Sequence, residues 1–171
     1  MDIAVNYVAI LIAGIASMML GFFWYSPMVM GKPWMKLMGY TEKSIKKAQK
    51  EMGKMYVLSF AAVLVTGYVL SHVMALSENF YGEGPVIAGM STAFFMWFGF
   101  IAPIQITDVI FENKRWKLYV IDTTYQLLSM LAMGIVIGMA DFHERHTCFE
   151  QLPCHQAIAT KWLFPVPLDI F

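Results

Sequence analysis

Four long apolar runs set the limits on what this chain can fold into. They cover residues 3–24, 56–76, 85–107 and 117–140. Each is near or above the ~20 residues that carry a helix across a ~30 Å hydrocarbon core. The first three hold no acidic or basic side chain apart from His72, and the fourth holds a single acid, Asp122. Core helices of soluble domains rarely run so far without charge, so the pattern predicts four membrane-spanning helices. A lipid-facing surface also explains why only 14% of the residues are charged, against about 25% in an ordinary soluble domain. The first run is preceded by Met1-Asp2, with no Lys or Arg. It exceeds the apolar stretch of a cleavable signal, so it reads as a retained helix.

The charges that remain are unevenly placed. The connection between runs one and two carries Lys32, Lys36, Lys43, Lys46, Lys47, Lys50 and Lys54, and the connection between runs three and four carries Lys114, Arg115 and Lys117. Those two connections must share a side, and together they hold ten of the twelve Lys and Arg residues. The second connection holds only Glu78 and Glu83. The positive-inside rule therefore predicts cytoplasmic first and third connections and both termini outside. Net charge is zero, which argues against nucleic acid as a partner.

Short second and third connections predict an antiparallel bundle. Within the first connection, Thr41 suits an N-cap and Glu42 the first helical turn, and Ile45, Ala48, Met52 and Met55 recur at helical spacing. This predicts a short basic amphipathic helix over about 41–53. It reads either as a solvated connector or as a contact to anionic lipid along 41–54.

Helices in lipid have no hydrophobic drive toward one another, so small residues mark where backbones approach. Ala9, Ala13, Ser17 and Gly21 recur every fourth position in run one, and Gly134 and Gly138 do so in run four. These faces can serve the bundle or a homo-oligomer. Trp24, Tyr25, Trp34, Trp116 and Tyr119 fall where the aromatic belt of a membrane interface is expected. The fifteen methionines read as packing rather than metal ligation. Asn6, in run one, is expected to bond to a neighbouring helix, and His72 to sit at the interface.

Asp122 is the leading candidate for chemistry, because an ionisable residue within a span is costly. Tyr125, Gln126 and Ser129 follow at i+3, i+4 and i+7, so all four share a helical face. One reading is a proton-, ion- or ligand-linked polar cluster. The other has Asp122 pairing with Lys117 or Arg115 to fix the fold. Gln105, Thr107 and Asp108, at a similar depth around the inner end of run three, can join the cluster or act as caps.

The last 31 residues, 141–171, form an outward-facing tail in this reading. His143, His146, Cys148, Cys154 and His155 lie within it. Their spacing matches no standard zinc site, and outside the cell Cys148 and Cys154 can close a disulfide loop. No nucleotide loop, serine-nucleophile elbow or His-Glu-x-x-His pattern occurs. No catalytic residue, metal or cofactor is assigned, and the chain is expected to be non-enzymatic.

Some of these residues form a recognisable pattern. Gly21-x-x-Trp24-Tyr25-Ser26-Pro27, then Gly31-Lys32-x-Trp34-Met35 and Gly39-Tyr40-Thr41, resembles the bacterial domain-of-unknown-function family 1761. Met52-Gly53-x-x-Tyr56, Trp97-x-Gly99-Phe100 and Ile121-Asp122-x-x-Tyr125 extend the resemblance over about residues 3–140. It implies a four-helix protein of a bacterial inner membrane without assigned catalytic residues, and structural roles for Trp24, Tyr25, Ser26, Pro27 and Trp34. The tail after Ala140 departs from the family pattern. Three functions follow as expectations: a structural or interaction protein, a small transporter or channel subunit using Asp122, or a thiol or metal enzyme using the tail.

Overall fold

The computed structural model describes residues 5–39, 52–112 and 114–150, and these are helical apart from short turns. The predicted 41–53 helix lies outside the described residues, except for its last two positions. In chain order the elements are α1 (Tyr7–Trp24), α2 (Gly31–Met38), α3 (Met52–Tyr81), α4 (Pro85–Met96), a π-helical turn (Trp97–Ile101), α5 (Ala102–Phe111) and α6 (Trp116–Glu150). Among the described residues, four stretches are long and apolar enough to cross a membrane: Tyr7–Trp24, Gly53–Tyr81, Pro85–Phe111 and Trp116–His143.

Helix ends differ from the apolar runs in instructive ways. α3 extends past its apolar run at both ends and α6 past its C-terminal end, because a helix once nucleated propagates cheaply beyond the apolar segment. α6 passes Ala140 and continues to Glu150, so the first part of the predicted tail is helical. Asn6 stands before α1 rather than within it: its side-chain oxygen accepts from the Ala9 amide at 2.9 Å, as an N-cap does. His72 bonds through Nδ1 to the Tyr68 carbonyl one turn back, at 2.9 Å.

The third span is not one regular helix. Pro103 lacks an N–H, and its ring would strike the carbonyl four residues earlier. The chain answers with a π turn just before it, where the Ala102 amide reaches back to the Trp97 carbonyl. Such widened turns interrupt helices mostly at specialised positions. Here it leaves Trp97 directed at α6.

The four spans stand at the corners of a square, each antiparallel to both neighbours. α6 packs on α1 and α4, and α3 packs on the same two helices. The contacts run in opposite directions along each pair. Gly14 lies against Leu64 and Phe60 while Gly67 lies against Ile10, and Gly89 lies against Gly134 while Gly138 lies against Pro85. A tight turn joins α3 to α4, with Gly82 at φ +65°, a conformation that costs glycine little.

Small residues set the interhelical distances. At Gly89 and Gly134 the backbones of α4 and α6 touch, and a Cβ on either would collide with the other's carbonyl. A Cβ on Gly138 would lie 2.6 Å from the Pro85 oxygen. The α1 face of Ala9, Ala13 and Ser17 is buried against the bundle. Ala13, Leu70, Met74, Ala93, Met130, Met133 and Ile137 fill the centre. Outside, Phe22, Val57, Val65, Ile87, Phe95, Phe98 and Val120 are exposed, the apolar exterior that a bilayer requires and water would penalise.

Candidate functional site

The site grows from the corner where the first span ends. After α1 the chain turns sharply. The Met30 amide donates to the Trp24 carbonyl (3.1 Å), and the Gly31 amide donates to the Ser26 carbonyl (2.9 Å). The turn closes only because residue 31 is glycine: a Cβ there would run into the carbonyl of Tyr25 and the backbone of Ser26. α2 then begins, and its Trp34 comes round beside Tyr25. The two rings meet edge to face with centroids 5.4 Å apart.

Both side chains aim at the fourth span. The Tyr25 hydroxyl donates to Asp122 Oδ1 at 2.9 Å, and the Trp34 indole N–H donates to the same oxygen at 3.1 Å. Burial, and after it the charge of the Asp122 carboxylate, push the Tyr25 phenol well above its ordinary range, so it remains a donor. Tyr125, one turn along α6, packs edge-on against Tyr25 at 5.1 Å. Gly21 makes room for it, since a Cβ there would lie 2.6 Å from the Tyr125 oxygen. One turn further, Ser129 and Ser17 share a buried hydrogen bond of 2.5 Å. Asp122, Tyr125 and Ser129 therefore all face α1 and its corner. Gln126 is half-buried.

The next residue serves the opposite neighbour. The Thr123 hydroxyl donates to the Gln105 side-chain oxygen. Its carbonyl accepts from the Trp97 indole at 3.0 Å, the contact that the π turn makes available. The Tyr119 hydroxyl lies 3.4 Å from the Ala102 carbonyl. Asp122 and Thr123 thus join α6 to α1–α2 on one side and to the third span on the other.

This arrangement corrects two expectations. Among the described residues Asp122 makes no ion pair with Lys117 or Arg115. Lys114 pairs instead with Glu112, at 2.7 Å. Glu112 accepts a hydrogen bond from Lys114 and holds its ammonium above the ordinary lysine range. Nor does Thr107 turn toward Asp122. Thr107 is exposed and bonds to the Ile104 carbonyl in its own helix at 2.6 Å, and Gln105 is engaged by Thr123. The face of α5 that carries Thr107 is directed outward, as the exposure of Ile104 and Phe111 shows.

Sequence reasoning singled out Asp122 but missed its partners. Tyr25 and Trp34 lie 97 and 88 positions away and read as interface aromatics. Their recurrence with Gly21, Gly31 and Asp122 in one motif set was the available signal. Ser26 and Trp24 each keep a buried polar atom without a hydrogen-bond partner among the described residues. Pro27 is exposed at the outside of the turn. No group of three His, Cys, Asp or Glu residues that could hold a metal occurs among the described residues. The side chains of Cys148 and Cys154 and the rest of the tail lie outside them.

No curated protein and no solved structure matches this chain. A family model does, over residues 8–138, the segment that contains every residue of the corner and its partners on α6. The chain belongs to the family described as Protein of unknown function (DUF1761).

Proposed function

We propose that this multi-pass protein is a non-enzymatic scaffold of the bacterial inner membrane, acting by helix contacts with other membrane components or with further copies of itself. The observation that carries this reading is the engagement of Asp122. Its Oδ1 is taken by two neutral donors from the α1–α2 corner. A carboxylate held in that way fixes a corner. The charge count supports a cytoplasmic position for that corner and outward termini.

A transport reading is favoured by one observation. Asp122 is half-buried and has no directly paired cation among the described residues, Lys114 being engaged by Glu112. Reconstitution into liposomes tests the two. The scaffold reading expects proton and cation flux at the level of protein-free vesicles for both the native chain and Asp122→Asn. Flux above that level, abolished by Asp122→Asn, would replace it with the transport reading.

A further inference from the structure

We infer that the groove between α2 and the start of α6 binds the phosphate headgroup of an anionic phospholipid. Pro33, Lys36 and Leu37 line one wall, and Arg115, Trp116 and Lys117 line the other. Three of the six are cations and none is an acid. Lys36, Arg115 and Lys117 are exposed and make no ion pair among the described residues, and the acid next in sequence, Glu112, is taken by Lys114. Three unneutralised positive charges converging on one cleft call for an anion.

Position selects the kind of anion. Trp116 opens the fourth membrane-crossing stretch and is 60% exposed, so its ring sits at headgroup height, where indoles settle. α2 follows the first span after a short turn and lies against α6. The groove therefore opens at the edge of the bilayer. Its apolar members, Pro33, Leu37 and Trp116, supply a surface for the upper acyl chain beneath the cations. A free phosphate would use the cations and leave those three without a role.

The two walls are tied to each other. Trp34, between Pro33 and Lys36 in sequence, is anchored on Asp122, and Asp122 lies a turn and a half beyond Lys117. The same corner contacts thus hold the segments that carry the cations next to each other. This separates it from the lysines of residues 41–54, which belong to a different segment.

Native mass spectrometry of the full chain in detergent tests the inference, with phosphatidylglycerol, phosphatidylcholine and inorganic phosphate as probes. Phosphatidylglycerol should be retained in preference to phosphatidylcholine. Each near-surface cation is worth roughly a five-fold change in affinity. Single Lys36→Gln, Arg115→Gln or Lys117→Gln changes should therefore each weaken retention about five-fold, and the triple change about 100-fold. A control carrying Lys43→Gln, Lys46→Gln and Lys50→Gln should keep the native preference. Equal retention of the two lipids would overturn the inference. So would an equal loss in the control, or full displacement of lipid by millimolar inorganic phosphate. The triple variant's unfolding midpoint, expected to match the native chain's, shows that its loss is not one of folding.

Discussion

Tyr25 and Asp122 stand 97 positions apart in sequence and 2.9 Å apart in space, joined by one hydrogen bond that fastens the end of the first span to the fourth. Interhelical hydrogen bonds in membrane proteins contribute modestly, about 0.6 kcal/mol on average with a maximum near 1.7. Tyr25→Phe should therefore lower the unfolding free energy in detergent by about 1 kcal/mol, and Trp34→Phe by a similar amount. Asp122→Ala removes both acceptor interactions and should cost about 2 kcal/mol. Asp122→Asn keeps a side-chain oxygen and should cost less than either. In a double-mutant cycle, Tyr25→Phe and Asp122→Ala should couple by about 1 kcal/mol. Strict additivity would show that the bond contributes nothing.

The glycines give a graded series. At Gly89 and Gly134 the obstacle to a Cβ is backbone, which cannot swing away. Either change to Ala should destabilise by about 3 kcal/mol, the upper part of the range for overpacking. Gly21→Ala meets only the end of the Tyr125 side chain and should cost about 1 kcal/mol, with loss of the Tyr25–Tyr125 ring contact. Gly99→Ala has open space around it and should fall within about 0.5 kcal/mol of the native chain. Thermal or denaturant unfolding in one detergent ranks all four.

Thr92 should yield a stabilised variant. It is 5% exposed, and its hydroxyl has no hydrogen-bond partner among the described residues. Burying an unpaired hydroxyl costs roughly 1–3 kcal/mol. Thr92→Val keeps the shape and removes the hydroxyl, so the unfolding free energy should rise by about 1 kcal/mol. A fall would show that the hydroxyl has a partner in the membrane.

Thiol labelling tests which ends share a face. In a Cys148→Ser, Cys154→Ser background, Met38→Cys and Glu112→Cys should label together and Glu83→Cys separately, because residues 38 and 112 lie at the corner end and 83 at the opposite end. With the proposed orientation, an impermeant maleimide reaches Glu83→Cys on intact spheroplasts. It reaches the other two only after permeabilisation. The opposite pattern would invert the orientation and leave the fold intact.

The four spans were legible because length and lack of charge are local properties of a run. The α1 small-residue face and Gly134 with Gly138 were legible too, from spacing alone. Gly89 was not, since a single glycine within an apolar run carries no period and gains its meaning only from Gly134 across the interface. The π turn left Pro103 as its trace, but a proline predicts a disturbance and not its form. Asp122 stood out as an acid in an apolar run. Its partners did not, because Coulombic reasoning pointed to nearby cations, whereas the fold supplied neutral aromatic donors from a distant segment. Asp108 and Thr107 share Asp122's depth but lie on a helix whose rotation turns Thr107 outward. Depth can be counted from a sequence, and rotation beyond a proline cannot.

The Trp34–Asp122 contact also dictates an order of events during synthesis. The ribosome makes the corner of residues 25–34 long before it makes the oxygen that the corner binds, with 88 positions between Trp34 and Asp122. The first helix must therefore enter the bilayer with its corner unfastened and wait through two further spans. Only insertion of the last helix, which reaches α1, α2 and the third span at once, converts separate inserted segments into a single body. A chain cut short before Trp116 would carry three of the four spans and none of the closure.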